Sequence, residues 1–512
     1  MDYSCTLFIV IAWPTTSFYA GQCFMVERMA VRDLLAIGPI LALFAILLIW
    51  SLFRLVRFGV SGTQGTWELL GRLLSSRALL VFLLLAACAN VAFSALAGYI
   101  NPRDYVQDVI GAHQFLKHAI LYPSDAPQMG VVELAAPIRG QAELEKLPIV
   151  RRELNTLKEP PIPGMGHPPV LEIALAAPVY FLGLRGSFLF VFLLSAVLLY
   201  MTSGAIVREL FPPLSILEFC VLMGLVFAWY PVDTTLRSGQ PSIILFALIT
   251  AGWLMLRRNR PWIAGSAVGL AACLHAFPAL FVLYFAFRSR RAFVSAVATI
   301  AGLSFAAAEL TVGPTFQAWL NAANEMSQRF IAQTGNLSVA GLIAGFLRGM
   351  NWNEHEKIVA PGALLIIAGA LAVFLWPWNR RHARPEQLDV EYSIFVAAML
   401  LASPLSWGRY LPIMLLPLAV LIRNWRLRRP AWAVSALLAA LFFMSFSAST
   451  SVSVSSWLTL RPGFVISWLV TAMPSFSIMA VLLWLGLSAN SRDPAPSSEK
   501  QFDLKTVQLR PL

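Results

Sequence analysis

Long apolar runs recur along most of the chain, with short arginine and lysine clusters between them. Leu34 to Phe53, Ala78 to Ile100, Ser187 to Ile206, Ser242 to Leu256, Ala292 to Val312, Ile358 to Trp378 and Phe464 to Leu487 are the clearest runs. Roughly 20 apolar residues cross the hydrocarbon core of a bilayer as a helix. Only 12% of the 512 residues are charged, too few to coat a soluble protein of this size, and the mean hydropathy is +0.71. The ten-residue alternation of a transmembrane barrel is absent. The expected fold class is therefore an all-α polytopic membrane protein, with about 13 crossings, give or take roughly two.

The net charge of +12 would suggest nucleic acid in a soluble protein. Here the cations cluster at the ends of apolar runs: Arg54 and Arg57; Arg257, Arg258 and Arg260; Arg288, Arg290 and Arg291; Arg380, Arg381 and Arg384; Arg423, Arg426, Arg428 and Arg429. That is the positive-inside pattern, so the charge reports orientation and excludes a nucleic-acid partner. The five cysteines are scattered without metal-ligand spacing, and the outer carboxylates are too few for an oxygen cage. No metal or other cofactor is expected.

Residues 1–33 read as an extra span or as an extension ahead of a start at Met25 or Met29. Residues 34–487 form one transmembrane unit, and 488–512 a polar cytoplasmic tail. Placing the basic clusters inside puts 101–168 outside as a first long segment, and 313–357 as a second. The first contains a helix from Tyr105 to Leu121 lying along the interface. It returns to the membrane at His167-Pro168-Pro169, followed by a short apolar piece to Leu182 of re-entrant character. Asp233, Arg237, Gly239 and Gln240 fall in an outer loop. Residues 261–287 and 391–422 are short hairpins that turn at His275-Ala276-Phe277-Pro278 and at Ser403 to Tyr410. Broken helices of this kind need protein or a water-filled cavity around them.

Asp104, Asp108, His167, Gln240, His275, Asn336, Trp407 and Arg409 thus gather on the outer side. Ionisable residues at a membrane boundary are costly and are functional candidates by default. Asp104 can act as a general base toward a hydroxyl. Arg409 and His275 can bind an anionic leaving group, with Arg the better phosphate fork. An apolar groove between helices suits a polyprenyl tail. Together these point to transfer of a lipid-phosphate-linked group at the outer leaflet. Plainer readings stand beside these. His275 can satisfy freed carbonyls, Arg409 can snorkel, and Gln240 and Asn336 can cap helices or hold loops. Asp108 reads as a solvated charge or as a partner of Arg103, and Trp407 as part of an aromatic belt. A transporter or flippase, and a lipid-binding scaffold without turnover, are the rival classes.

The order of the motifs resembles glycosyltransferase family 87, the polyprenyl-phosphate-mannose-dependent α-mannosyltransferases of the GT-C superfamily. The resemblance spans roughly residues 80 to 425. It rests on Asp104-Tyr105 running to Leu121-Tyr122, His167-Pro168-Pro169, Gly239-Gln240-Pro241-Ser242, His275-Ala276-Phe277-Pro278, Asn336-Leu337-Ser338 and Ser403 to Trp407. The resemblance implies a GT-C-type helical bundle of the plasma (inner) membrane with its site facing outward. It implies Asp104 as the base of an inverting transfer of a hexose, mannose by family habit, from a polyprenyl-phosphate donor to a glycolipid or glycan acceptor. Tyr105 and Tyr122 join the candidate substrate-binding residues through the first motif. The chain departs from the family where His275 replaces a Lys, Ser242 replaces an Asn, and Gly408-Arg409 replaces an acidic-His pair.

Overall fold

The computed structural model describes residues 77–100, 105–118, 167–333, 335–350, 385–428 and 464–490, with isolated positions between 359 and 371 and at 444. The expectations for residues 1–53, for Asp104 and Tyr122, for most of the 123–168 segment, for the Ile358 to Trp378 run as a whole and for the tail lie outside these residues. All regular structure among the described residues is helical, and the one isolated β-bridge joins Asn336 to Trp407.

The chain begins with α1 (Arg77–Ile100) and α2 (Tyr105–His118). Next comes α3 (Pro169–Leu210), which starts with proline at its first position, where no amide is needed. Gly183 interrupts α3 with φ 68 and ψ −173, so the short apolar piece after His167 is set off from the longer part by a backbone that only glycine adopts freely. α4 (Ile216–Ala228) opens on a capping box, with the Ser215 hydroxyl accepting from the Glu218 amide and the Glu218 carboxylate accepting from the Ser215 amide.

Residues 229–240 were expected to form an outer loop, and most of them are helical instead, as α5 (Tyr230–Ser238). Pro231 near its start, an Asp233–Arg237 pair one turn apart at 2.6 Å and the left-handed Gly239 that ends it explain why so polar a stretch winds up. α5 meets α4 at a 64° bend. α6 (Ser242–Arg257), α7 (Pro261–Leu274), the 3₁₀ turn Phe277–Ala279, α8 (Leu280–Arg288), α9 (Arg290–Leu310), α10 (Thr315–Phe330) and α11 (Val339–Gly349) follow. The second hairpin is α12 (Pro385–Ala402), the 3₁₀ segment Gly408–Met414 and α13 (Leu415–Arg428), and α14 (Phe464–Asn490) comes last.

Among the described residues α3 and α9 are long and apolar enough to cross a membrane, as is the bent α4–α5 pair taken together. α7 and α8 are apolar but shorter, as expected of a short hairpin, and α6, expected as a crossing run, is apolar and also below that length. This is the build of a helical membrane protein.

Close packing positions the first hairpin. Gly265 and Gly269 on α7 face Ala292 and Ala296 on α9, and a Cβ on Gly269 would lie 2.8 Å from the Ala296 carbonyl oxygen. Small residues four apart let two helices approach this closely. Ser295 Oγ adds bonds to the Trp262 carbonyl (2.6 Å) and to Ser266 Oγ (2.8 Å). On the other side, Phe281 and Tyr284 of α8 stack against Tyr392 and Phe395 of α12, all fully buried.

The helices share two chemically distinct ends. At one end, Asp389 of α12 binds Arg257 of α6, Arg423 of α13 (2.7 Å) and the Trp253 indole (2.8 Å). Glu209 of α3 meets Arg257 at 3.1 Å, and Glu391 meets Arg288 at 3.4 Å. At the opposite ends of these same helices lie His167, Gln240, His275 and the Ser403 to Tyr410 bend. α6 alone separates the two ends by about 24 Å.

Candidate functional site

The second hairpin's bend is pinned from both sides. The Asn336 side chain donates to the carbonyls of Ile331 and Pro404, both at 2.9 Å, and its oxygen accepts from the amides of Ser338 (3.2 Å) and Ser406 (3.0 Å). The Ser338 hydroxyl also donates to Pro404 (3.2 Å) while capping α11 through the Gly341 amide. On the far side, the Thr235 hydroxyl of α5 donates to the Arg409 carbonyl at 2.7 Å. Trp407 is half-buried, with the Arg409 guanidinium 5.8 Å from its ring centre. Asn336 thus uses its whole hydrogen-bonding capacity on the backbone, and of its two expected roles the structure fits the loop-holding one.

His275 caps the end of α7 in an extended conformation, its amide donating to the Ala271 carbonyl. Its Nε2 lies 2.9 Å from the Tyr410 hydroxyl. The ring is bordered by Phe277, Tyr410 and His167, with centroids 4.4, 5.0 and 5.1 Å away. Both hairpin bends and the entry to α3 therefore meet at one point. His167 is buried, and its Nε2 lies 3.6 Å from Asp108 Oδ1 on α2.

The start of α2 is fixed by Gly239. A Cβ on Gly239 would lie 2.8 Å from Cβ of Tyr105, so only glycine admits the contact. The Tyr105 ring is fully buried and meets Phe188 edge-on at 5.9 Å. Tyr105 thereby seats α2 against α3 and α5. Gln240 is buried beside it, its amide bonded to the Thr235 carbonyl at 3.3 Å.

Asp108 is buried, 1% exposed, and so is not a solvated charge; Arg103 lies outside the described residues. Burial pushes its carboxyl up to about 8 and the His167 imidazole down to about 4, so at neutral pH their contact joins two uncharged groups. Glu172, in the first turn of α3, is also fully buried, and its carboxyl lies against Gly111 of α2. Asp108 and Gly111 are three apart on one helix face, so the two carboxyls are neighbours. Neither Glu172 oxygen has a hydrogen-bond donor among the described residues, nor does Asp108 Oδ2.

The structure thus brings together His167, Gln240, His275, Asn336, Trp407, Arg409 and Tyr105. It adds Tyr410, Asp108 and Glu172, which sequence reasoning missed or set aside. Glu172 carried a usable signal, being an acid in the apolar run after His167-Pro168-Pro169. No group of His, Cys, Asp and Glu among the described residues could hold a metal ion.

Residues 167–404 match the model of glycosyltransferase family 87. The match covers His167, Gln240, His275 and Asn336. The resemblance drawn from motif order is thus borne out, and the chain is similar to that family. Two curated relatives carry the name polyprenol-phosphate-mannose-dependent alpha-(1-2)-phosphatidylinositol mannoside mannosyltransferase. The one from Mycolicibacterium smegmatis is 25% identical over 285 residues, 51% of this chain and 59% of the relative. The one from Mycobacterium tuberculosis is 26% identical over 218 residues, 40% of this chain and 47% of the relative. The chain thus spans about half the length of the curated relatives it matches. No solved structure matches it.

Proposed function

We propose that this protein is a membrane mannosyltransferase that moves a sugar from a polyprenyl-phosphate donor to an acceptor hydroxyl on the extracytoplasmic side. The observation that carries the reading is the meeting of His167, His275, Tyr410 and the Trp407–Arg409 bend at the end of the bundle remote from the ion-paired arginines. A phosphate needs one permanent cation and directional donors. Arg409 supplies the first; the His275 imidazole and the Tyr410 hydroxyl supply the second. Asp104 directly precedes Tyr105, the residue seated on Gly239, and is the general base that takes the acceptor's proton as polyprenyl phosphate leaves. The anomeric centre inverts, as family resemblance implies. The relatives' names make a phosphatidylinositol mannoside the first acceptor class to try.

The test is turnover of labelled polyprenyl-phosphate mannose by membranes carrying the protein, with phosphatidylinositol mannosides among the acceptors. Wild type should transfer label, and Asp104→Asn should lower the rate by at least about 100-fold. Wild-type turnover by Asp104→Asn would remove Asp104 from the mechanism. Absence of transfer to any lipid acceptor would remove the transferase reading.

A further inference from the structure

We propose that Asp108 is a positioning residue of this site that must hold its proton for the phosphate-bearing donor to bind. The inference rests on the donor reading above. Asp108 contacts His167, His167 packs edge-on against His275, and His275 bonds Tyr410, so Asp108 stands two side chains behind the candidate phosphate site. It is sealed from water, and Glu172 is sealed beside it. Two adjacent buried carboxyls without donors resist ionising together. A negative charge on Asp108 would oppose the donor's phosphate and would draw a proton onto His167, disturbing the ring that supports His275.

The groups facing Asp108 are Tyr105 on its own helix, His167 at the entry to α3, Glu172 on α3 and Tyr410 from the 3₁₀ segment. His275 and Arg409 stand behind them. Burial holds the Tyr410 hydroxyl up at about 12, and an ordinary imidazole titrates below 7. A phosphodiester keeps one negative charge throughout. The window from about pH 7.5 to 9.5 therefore lies between these groups, and Asp108→Asn separates the share of Asp108 from that of the neighbouring Glu172.

The experiment is equilibrium binding of labelled polyprenyl-phosphate mannose to the purified full chain in lipid nanodiscs across that window. The wild-type Kd should rise by up to about tenfold per pH unit above pH 8, the slope of one proton. Asp108→Asn, which mimics the protonated acid, should bind with one Kd across the window. Asp108→Ser, which also carries no charge at this position, should likewise bind with one Kd. If Asp108→Asn follows the wild-type slope, or wild type shows no slope, the inference is wrong. Should Asp108→Asn fail to fold, a wild-type slope in Asp108→Ser overturns it equally. Binding without transfer would sink the catalytic reading and leave this one standing; no binding at any pH would sink both.

Discussion

Asn336→Asp separates a residue that holds a loop from one that holds a ligand, because it keeps size and shape and changes one donor into an acceptor. The oxygen that accepts from the Ser338 and Ser406 amides is retained, but the amino group that donates to Ile331 and Pro404 is lost. Pro404 keeps the Ser338 hydroxyl as a donor, whereas Ile331 loses the Asn336 amide. A buried acceptor left without a donor costs about 1–3 kcal/mol, and an oxygen facing the second carbonyl adds roughly 1 kcal/mol more. Asn336 is only 6% exposed, so water cannot repair the loss, and a protonated carboxyl restores one bond of the two. The expected destabilisation is about 2–4 kcal/mol, a fall in melting temperature on the order of 5 °C. Thermal unfolding of the detergent-purified protein by size-exclusion chromatography reads it directly. Donor affinity should fall together with the melting temperature, since the Ser403 to Tyr410 bend moves. An unchanged melting temperature with weakened donor binding would refute the loop-holding account and return Asn336 to the ligand.

Gly239→Ala should cost at least about 2 kcal/mol, from a left-handed backbone at φ 68 and a methyl pressed against Tyr105; melting and turnover should both fall. Gly265→Val should separate α7 from α9 and destabilise by roughly 2 kcal/mol or more, seen as a lower melting temperature. Asp389→Ala takes the shared carboxylate from Arg257 and Arg423, which keep Glu209 and Glu386, and should cost about 1–3 kcal/mol in melting measurements, while donor Kd in the surviving folded fraction stays within about threefold because the cluster lies at the other end. Stability should also fall as pH rises from about 6.5 to 8. Asp108 is held up near 8 in the folded chain and ionises near 4 when unfolded, so the folded state holds the extra proton across that interval. His167, held down near 4, works with the opposite sign but only below pH 6.5. The share due to Asp108 is on the order of 2 kcal/mol, and Asp108→Asn should remove that share, which melting curves of the two proteins at the two pH values check.

The helical layout was legible because apolar runs and arginine clusters report directly on solvent. Both short hairpins turn where His275-Ala276-Phe277-Pro278 and the Ser403 to Tyr410 stretch placed their bends. The segment from Tyr230 to Ser238 was not legible as helix, because its polarity outweighed the start and stop signals at Pro231 and Gly239. The site was half legible. Exposure at a bend marks His275 and Arg409 on sequence alone. Whether Asn336 binds a ligand or a loop depends on which carbonyls surround it, and those come from residues up to 68 positions away. Asp108 was misjudged for a related reason. An acid on an amphipathic-looking helix reads as solvated until the partner helix α3 is known to bring its own acid against the same face.

Two buried acids on the site side differ from the rest: Asp233 there pairs with Arg237, as the acids of the other end pair with arginines, whereas Asp108 and Glu172 do not, and the difference has a functional consequence. At the arginine end each buried carboxylate meets at least one cation, as Asp389 does between Arg257 and Arg423. Such pairs are costly to form and costlier to break, so they clamp α3, α6, α12 and α13 at that end. At the other end Asp108 and Glu172 are buried just as deeply, yet no cation pairs with either among the described residues. Were stability the only demand, an arginine here or an apolar pair would serve better. A cation locked to Asp108 would compete with the donor's phosphate, and an apolar pair would remove the Asp108 contact from His167. Neutral acids avoid both: they keep the contact with His167 and bring no rival cation to the donor's phosphate.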